Sequence, residues 1–486
     1  MALLTGAALF GSLVSLVIYL IATRYLRWKR LSHIPGPPLA GWSKLLWMAP
    51  RQIGGGMCND LHAVCGKYGP LSRIGPDWLV CSDPAEIRRL WSVHSGYHRS
   101  PWYRGFRFDP RSDNILTINE NKEHHRLRSH LLPGYSGKGL ADQEQVVDEN
   151  LGKFIGLIER KYLSSHGVLR PMDMQLAFQC LTQDVTTAVE FGRPFGYIEA
   201  DGDFMGVIEA MEAMLVPTQM AAMFPAVLGL VKSSVFEPFM PKEQVGGRYG
   251  EGKVRKRDVL QAFVDSGMTR SEVESEAVVH LVAGTDTTAA AIRTAIFYLS
   301  TSPGAYGRLQ REIDGAVERG LATRPIVADG EAKGLVYLQA VIREALRMWP
   351  PITGLLAKVS GREDVVCGRT VPAGTHVAWA AMGIMKNKAV FGEDAETFQP
   401  ERWLEAEPER VREMEAVQGL VFAAGTRWEC LGMRLAGIEL NKTIFELMLR
   451  FDFAMVNPIR PFKWNNQGFT VCEGMDLKIT KREEAR

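Results

Sequence analysis

Val421-Phe422-Ala423-Ala424-Gly425-Thr426-Arg427-Trp428-Glu429-Cys430-Leu431-Gly432 decides how the rest of the chain is read. One cysteine lies in a short loop bounded by glycines. An apolar helical pattern follows at once, in Met433, Leu435, Ile438, Leu440, Ile444, Leu447 and Met448. A thiolate between a loop and a helix start accepts backbone N–H bonds and feels the positive end of the helix dipole. Both lower its pKa and prepare it as a metal ligand. Gly432 lets the backbone approach a flat ligand closely. Taken alone, such a cysteine reads as a small buried hydrophobe. The decision between the two readings lies elsewhere in the chain.

Working outward, the helix expected from about 271 to 302 is the strongest in the chain. Thr269 and Glu272 have the spacing of a capping box, and Pro303 marks the far end. At roughly 1.5 Å per residue it spans close to 50 Å. Its middle, Ala283-Gly284-Thr285-Asp286-Thr287-Thr288, interrupts an apolar helix with glycine, an acid and three hydroxyls. Glycine inside a helix costs about 1 kcal/mol relative to alanine. Small residues here let a flat ligand lie against the helix, and an acid beside a hydroxyl can relay protons to it. The competing reading is a polar stripe on a half-exposed helix.

Glu344 and Arg347, at i and i+3, share one helical face. The default for such a pair is a surface salt bridge of little consequence. Leu335, Leu338, Val341 and Leu346 around it, and Trp349-Pro350-Pro351 after it, argue for a buried pair. Arg402, in Phe398-Gln399-Pro400-Glu401-Arg402-Trp403, offers a third member from a loop without regular structure, pinned to the helix by bidentate bonds.

Composition sets outer limits. The chain has 486 residues, 46% hydrophobic and 23% charged, with a net charge of +2, so bulk charge does not argue for nucleic acid. The basic, aromatic stretch from Tyr97 to Asn114 carries no nucleic-acid module around it. It reads as irregular, either a surface loop or a lid over an apolar pocket. Seven cysteines without a CxxC pair fit neither a zinc site nor a disulfide framework, and favour a reducing compartment.

Residues 2–23 hold no charge, and about 20 apolar residues suffice to span a bilayer. Arg24, Arg27, Lys29 and Arg30 follow, which puts the remainder on the cytoplasmic side. A cleaved signal peptide is the rival, but its charge would precede the apolar run. Expected boundaries are therefore a membrane anchor over 1–23, a basic and Pro-rich hinge over 24–40, and a single large domain over 41–486. Pro35-Gly36-Pro37-Pro38 stiffens that hinge and sets the exit angle.

Within the domain, 71–74 and 78–81 flank Gly75-Pro76-Asp77 as a hairpin, and 84–93 reads as a helix. Most of 140–345 is helical in period, with Gly-rich breaks at 195–203 and 241–251. Lys253 to Arg257 reads as a solvated face. After Pro350 come β-prone runs at 355–359, 365–371 and 376–380.

In this order and at these separations, the anchor with its Pro-rich hinge, the Ala283–Thr288 stretch, Glu344 with Arg347, and the Cys430 loop together resemble a cytochrome P450, a haem-thiolate monooxygenase. The likeness extends over nearly the whole chain. It implies a mainly α fold with small β-sheets, a long central helix and a haem-binding cysteine loop. It further implies haem b, iron protoporphyrin IX, with Cys430 as axial ligand and Ala283 and Gly284 beside the cofactor. Asp286 and Thr287 take the oxygen-activating role, while Glu344, Arg347 and Arg402 are structural. Glu123-His124-His125-Arg126-Leu127-Arg128 resembles the helix over one haem face, with His124 and Arg128 at the spacing of a propionate site. Lys358 stands where relatives often carry an arginine, keeping the charge but not the fork. Pro101-Trp102-Tyr103 and Tyr135-Ser136-Gly137-Lys138 are similar to fungal pisatin demethylase-like and benzoate hydroxylase-like members.

One departure concerns the opening stretch. The family loop has Phe seven and Gly four residues before the cysteine. Here Ala423 and Thr426 hold those places, with Phe422 and Gly425 one residue too early. One extra residue, absorbed as a bulge between Gly425 and Cys430, is expected. Arg427, three before Cys430, forms an Arg-Trp pair as in some fungal relatives and is expected to bind the cofactor.

The activity so implied is oxidation of a hydrophobic small molecule with O2 and NADPH-derived electrons, in fungal secondary metabolism. The expected partners are NADPH-cytochrome P450 reductase, the substrate and the membrane. The expected location is the endoplasmic reticulum, with a single-pass anchor and a cytoplasmic catalytic domain. An isomerase or dehydratase needing no O2 is the rival enzyme, and Asp286-Thr287 counts against it. A haem-free anchored binding protein is a third reading, against which Cys430, Glu344 and Arg347 weigh. Met205, Met211, Met214, Met220 and Met223 either line the pocket, since Met packs adaptably, or form ordinary core.

Overall fold

The computed structural model describes residues 2–108, 112–137, 142–224, 242–249 and 258–482. Eight helices carry the architecture: α1 Ala2–Arg30, α2 Asn121–Ser136, α3 Gln143–Leu157, α4 Met174–Phe191, α5 Val207–Met223, α6 Arg270–Thr301, α7 Val336–Met348 and α8 Met433–Arg450.

The central helix α6 has 32 residues. Its start is the expected capping box: the Thr269 N–H donates to Glu272 Oε2 at 2.8 Å, and the Glu272 N–H donates to Thr269 Oγ1 at 3.3 Å. Two orphan donors of the first turn are thereby satisfied. Val273, Ala277, Ile292, Ala295, Ile296 and Leu299 are fully buried in the largest hydrophobic cluster, together with apolar side chains of α3, α4, α7 and α8. A helix buried on this many sides has no polar face to spare, so its polar residues must be answered by neighbours.

Five short strands form the main sheet: β1 Leu71–Arg73, β2 Trp78–Cys81, β3 Tyr97–Arg99, β4 Lys358–Ser360 and β5 His376–Trp379. Their order is β1-β2-β5-β4-β3. β2 and β5 are parallel, Val80 facing Ala378, and the other pairs are antiparallel. The expected hairpin at 71–81 is present. The run at 365–371 is not one strand but a tight hairpin, Asp364–Val366 against Arg369–Val371, because Cys367 and Gly368 take positive φ.

The stretch from Tyr97 is more ordered than expected. It opens with β3 and continues as a 3₁₀ turn, Pro101–Phe106, capped by Ser100 Oγ, which accepts from the Trp102 N–H at 3.0 Å. Trp102, Tyr103 and Phe106 are buried, so the surface-loop reading fails. Gly105 packs so close to α5 that a Cβ there would lie 2.5 Å from the Ala222 methyl. The Met-rich stretch divides: Met205 is exposed, Met211 and Met223 are buried, and Met214 and Met220 are half-buried. The expected basic face at Lys253–Arg257 lies outside the described residues.

α1 is long and apolar enough to cross a membrane, and the described apolar side chains of its outer part are exposed. Arg73 of β1 grips its end. Nη1 donates to Trp28 O at 2.8 Å, Nη2 to Pro76 O at 2.8 Å and Gly41 O at 3.3 Å, and Nε to Gly75 O at 3.0 Å. A Cβ on Gly36 or Gly41 would collide with Arg73, which is why the Pro-rich link carries glycine at both places. The exit angle is held by this arginine as well as by proline.

Candidate active site

The Cys430 loop begins with a 3₁₀ turn, Gly419–Phe422. Ala423 and Gly425 then take positive φ, 50° and 71°. Glu429 Oε2 accepts from the Gly425 N–H at 2.8 Å, and the Cys430 N–H closes the loop onto Phe422 O at 2.8 Å. α8 starts three residues later. Of the seven cysteines only Cys430 is exposed. Protein nevertheless encloses it, so the surface it keeps faces an interior space. Burial raises its thiol pKa, while the Gly432 and Met433 N–H groups and the Arg128 charge pull it back.

The middle of α6 has the same character. Ala283 is exposed and Val282, Gly284, Asp286 and Thr287 are half-exposed, while the turns on either side are buried. Burial pushes the Asp286 carboxyl up to about 6; its bond from Gln179 and the Arg293 charge lower it, and Glu212 raises it. Asp286 Oδ1 accepts from Gln179 Nε2 of α4 at 2.9 Å. Thr287 Oγ1 donates to Ala283 O at 2.7 Å, the back-bonding that local geometry favours.

Gly284 has a second cause besides the one expected. α4 runs alongside α6, and a Cβ on Gly284 would lie 2.6 Å from Thr186 Oγ1. Helix packing by itself demands glycine here. Next to it, Thr182 Oγ1 donates to Thr285 O at 2.9 Å, and the Thr285 hydroxyl donates to Gln183 Oε1.

A second group of residues converges from four segments. His124 of α2, Lys358 of β4 and Arg99 of β3 are buried, and Arg128 of α2 is half-buried. Neither ring nitrogen of His124 has a partner, nor does Arg99 Nε. Burial and then the charges of Arg99, Arg128, Lys358 and Arg427 depress His124 to about 2. Burial and then Arg99 hold the Lys358 ammonium well below its usual range, and Arg99 itself falls to about 10, chiefly through burial. Lys358 Nζ donates to Tyr103 Oη at 3.0 Å and lies 4.0 Å from the Trp428 ring centroid. Arg128 Nη1 donates to Glu429 O at 2.5 Å. Arg427 donates to Val93 O, and its charge also bears on His124.

Burying cations without a counter-charge costs several kcal/mol apiece. Glu276 bears on Arg99 and Glu429 on Arg128, but among the described residues no carboxylate bears on Lys358 or His124. The residues therefore fit a ligand that brings its own anions, next to an exposed thiol and an exposed alanine. A haem, with two propionates, a flat ring and an iron, satisfies all three demands. Trp428, the partner of Arg427 in the Arg-Trp pair, belongs to this group, and so does Arg99, which escapes sequence reasoning. Arg99 lies in the stretch read as irregular, and nothing local marks it as buried.

Glu344 and Arg347 are fully buried. Arg347 Nε and Nη2 donate to Glu344 Oε2 and Oε1 at 2.8 and 2.7 Å, and Nη1 donates to Met385 O and Ala395 O at 2.7 and 2.6 Å. Arg402 Nε donates to Glu344 Oε1 at 3.0 Å and Trp403 Nε1 to Oε2 at 2.9 Å. Arg402 opens a short helix, Arg402–Glu405, instead of lying in an irregular loop. The triad ties α7 to the segment that leads into the Cys430 loop.

The Cytochrome P450 family profile matches residues 35–473. Among similar proteins are cytochrome P450 monooxygenase ABA1 of Pyricularia oryzae, 35% identical over 98% of this chain and 97% of that one. Another is cytochrome P450 monooxygenase aba1 of Botryotinia fuckeliana, 34% identical over 93% and 92%. The gsfF monooxygenase of Penicillium aethiopicum is 29% identical over 98% and 97%. The chain is a cytochrome P450. It is a haem-thiolate monooxygenase of fungal type, and the P450 fold accounts for the helical body and small sheets. Its family generally takes electrons from a reductase and binds hydrophobic substrates.

Proposed function

We propose that Cys430 is the axial thiolate and that this P450 oxidises a hydrophobic natural product. The observation that carries the assignment is the pairing of the exposed Cys430 with the excess of buried cations around His124. In this reading His124, Arg128, Lys358 and Arg99 would hold the propionates, and the exposed Ala283 would lie beside the cofactor. Gly284 contributes by letting α4 approach. Arg427 acts through its charge and through Trp428 beside it. The turn Thr426–Glu429 takes up the extra residue of the loop.

Haem bound there supplies O2 binding and cleavage and the transfer of one oxygen atom to a C–H bond, with electrons delivered in turn. The remaining work is the protein's. Asp286, its carboxyl pushed up to about 6 by burial, can take up and release a proton close to neutral pH and swing toward the site. Thr287, its own proton engaged by Ala283, offers lone pairs that would order water in the site. Trp102, Phe106 and the half-buried Phe469 form an aromatic cluster that would help keep the site apolar and exclude bulk water.

Residues 1–23 serve as the anchor, 24–40 as the hinge and 41–486 as the catalytic domain. Electrons come from NADPH-cytochrome P450 reductase at the endoplasmic reticulum, and the product belongs to secondary metabolism. Asp286 with Thr287 favours oxygen chemistry over an isomerase or dehydratase. The reduced, CO-bound absorption spectrum tests the ligand: wild type gives the thiolate-haem band and Cys430→Ser abolishes it. A Cys430→Ser protein that keeps the band overturns the assignment. Turnover of candidate metabolites with reductase and NADPH, read by mass, tests the activity.

A further inference from the structure

Asp286 is joined to a half-buried carboxylate on α5 by a single amide. Gln179 is buried on α4, and its Nε2 donates to Asp286 Oδ1 at 2.9 Å and to Glu212 Oε1 at 3.0 Å. Gln175, one turn earlier, donates to the same Glu212 oxygen at 3.0 Å. Glu212 is half-buried on α5, with exposed Glu209 and Ala213 around it. Since both acceptor oxygens bond one nitrogen, they lie less than about 6 Å apart, a gap one water spans.

A buried amide is costly unless both its hydrogens are bonded. Here both hydrogens go to acids, so the amide's whole donor capacity is given to joining them. Glu276 of α6 and Glu190 of α4, the two fully buried acids nearby, make no comparable link outward. Glu276 is fully buried and its Oε1 accepts from the Ile115 N–H at 2.5 Å, while Glu190 is fully buried with its Oε2 3.4 Å from His280 Nδ1. Among these three acids, only Glu212 is not fully buried, and exposed Glu209 and Ala213 flank it on α5. On the site side, the Thr287 hydroxyl proton is engaged by Ala283, so Asp286 is the outermost proton-holding group of the pair.

We propose that Glu212 is the entry point for protons bound for the active site, and that Gln179 is the positioning residue that keeps Asp286 within its reach. The proposal rests on the reading of Asp286 and Thr287 as the proton path. In the step, the Glu212 carboxyl gives its proton to a bridging water. That water gives one of its own protons to the Asp286 carboxylate. Glu212 is left ionised and regains a proton from solvent. No bond to carbon changes and no electron moves. Asp286 then turns about its side-chain torsions and presents the proton to the site.

The test compares Glu212→Gln, Glu212→Asp, Gln179→Leu and Asp286→Asn in the haem-loaded protein. The infrared carboxyl band of Asp286 is identified by its loss in Asp286→Asn, at a pH of about 5 where the acid is protonated. Deuterium exchange of that band in the resting protein is the first readout. Exchange slows about tenfold in Glu212→Gln and Gln179→Leu and stays near wild type in Glu212→Asp. The second readout is the solvent isotope effect on product formation, which rises in Glu212→Gln. The CO-bound spectrum reports an intact haem site in each variant. Glu212 is half-exposed, so Glu212→Gln keeps the test valid even where Gln179→Leu folds poorly. Unchanged exchange in Glu212→Gln overturns the proposal. If Asp286→Asn leaves both coupling and isotope effect untouched, the proton-path reading itself falls. If Asp286→Asn alters them and Glu212→Gln does not, only the entry point falls.

Discussion

Gly284 of α6 lies against Thr186 of α4, with 2.6 Å between the place of a Cβ and the threonine oxygen. Gly284→Ala therefore forces α4 and α6 apart. Overpacking of this kind costs about 1–3 kcal/mol, more than the roughly 1 kcal/mol that alanine returns as helix propensity. Thermal denaturation should show a lower Tm for Gly284→Ala and recovery in the double variant with Thr186→Ala. A Gly284→Ala protein as stable as wild type would mean that the helices are not held this closely.

The cation group makes the haem-free protein acid-sensitive. His124 titrates at about 2 in the fold and near 6.5 unfolded, so the unfolded chain binds the extra proton between those values. Stability then falls as pH drops below 6.5, by up to about 1.4 kcal/mol per unit from this group. Glu276, raised to about 8 by burial, slopes the other way between 4.5 and 8, so the His124 contribution is isolated by difference. Denaturation of apo wild type and apo His124→Phe at several pH values should diverge progressively below 6.5. Parallel curves would remove His124 from the cluster.

Thr287→Ala should leave haem binding and the CO-bound spectrum intact while diverting reducing equivalents to hydrogen peroxide. General acid–base groups contribute about 10²–10⁴ in rate, and a lost water-ordering hydroxyl is expected at the lower end. NADPH consumed, peroxide formed and product formed are measured together. Unchanged coupling and rate would leave Thr287 without a role.

Glu344 answers two buried guanidinium groups and the Trp403 N–H at once. Removing one partner from such a cluster costs about 3–5 kcal/mol, because the remaining charges stay buried and unpaired. Glu344→Gln keeps the size and loses the charge, so reduced yield and loss of haem on mild heating are expected. Arg402→Lys should be milder, since Asp394 also supports that position from the solvent side.

How much of this was legible beforehand depended on the range of the interaction. Thr269 and Glu272 are three residues apart, and their capping box forms as read. Glu344 and Arg347 share a helical face, and burial among Leu338, Val341 and Leu346 followed from apolar spacing. The Tyr97 stretch was misjudged because strand and 3₁₀ geometry there come from pairing with β4 and packing on α5, neither of which is local. Arg402 was placed in a loop because its four-residue helix is too short to leave a periodic signal.

By itself, the sequence determined what spacing along one segment can encode: the thiol loop before a helix, the acid–hydroxyl pair within one, the caps and the ordered series of motifs that marks the family. Tertiary structure decided what depends on segments meeting. Arg99, His124 and Lys358 become one anion site only when β3, α2 and β4 converge, and Asp286 acquires its link to Glu212 only through Gln179 on α4. The physical reason is that burial and charge coupling are properties of the space around a side chain, and most of that space is filled by residues far away along the chain.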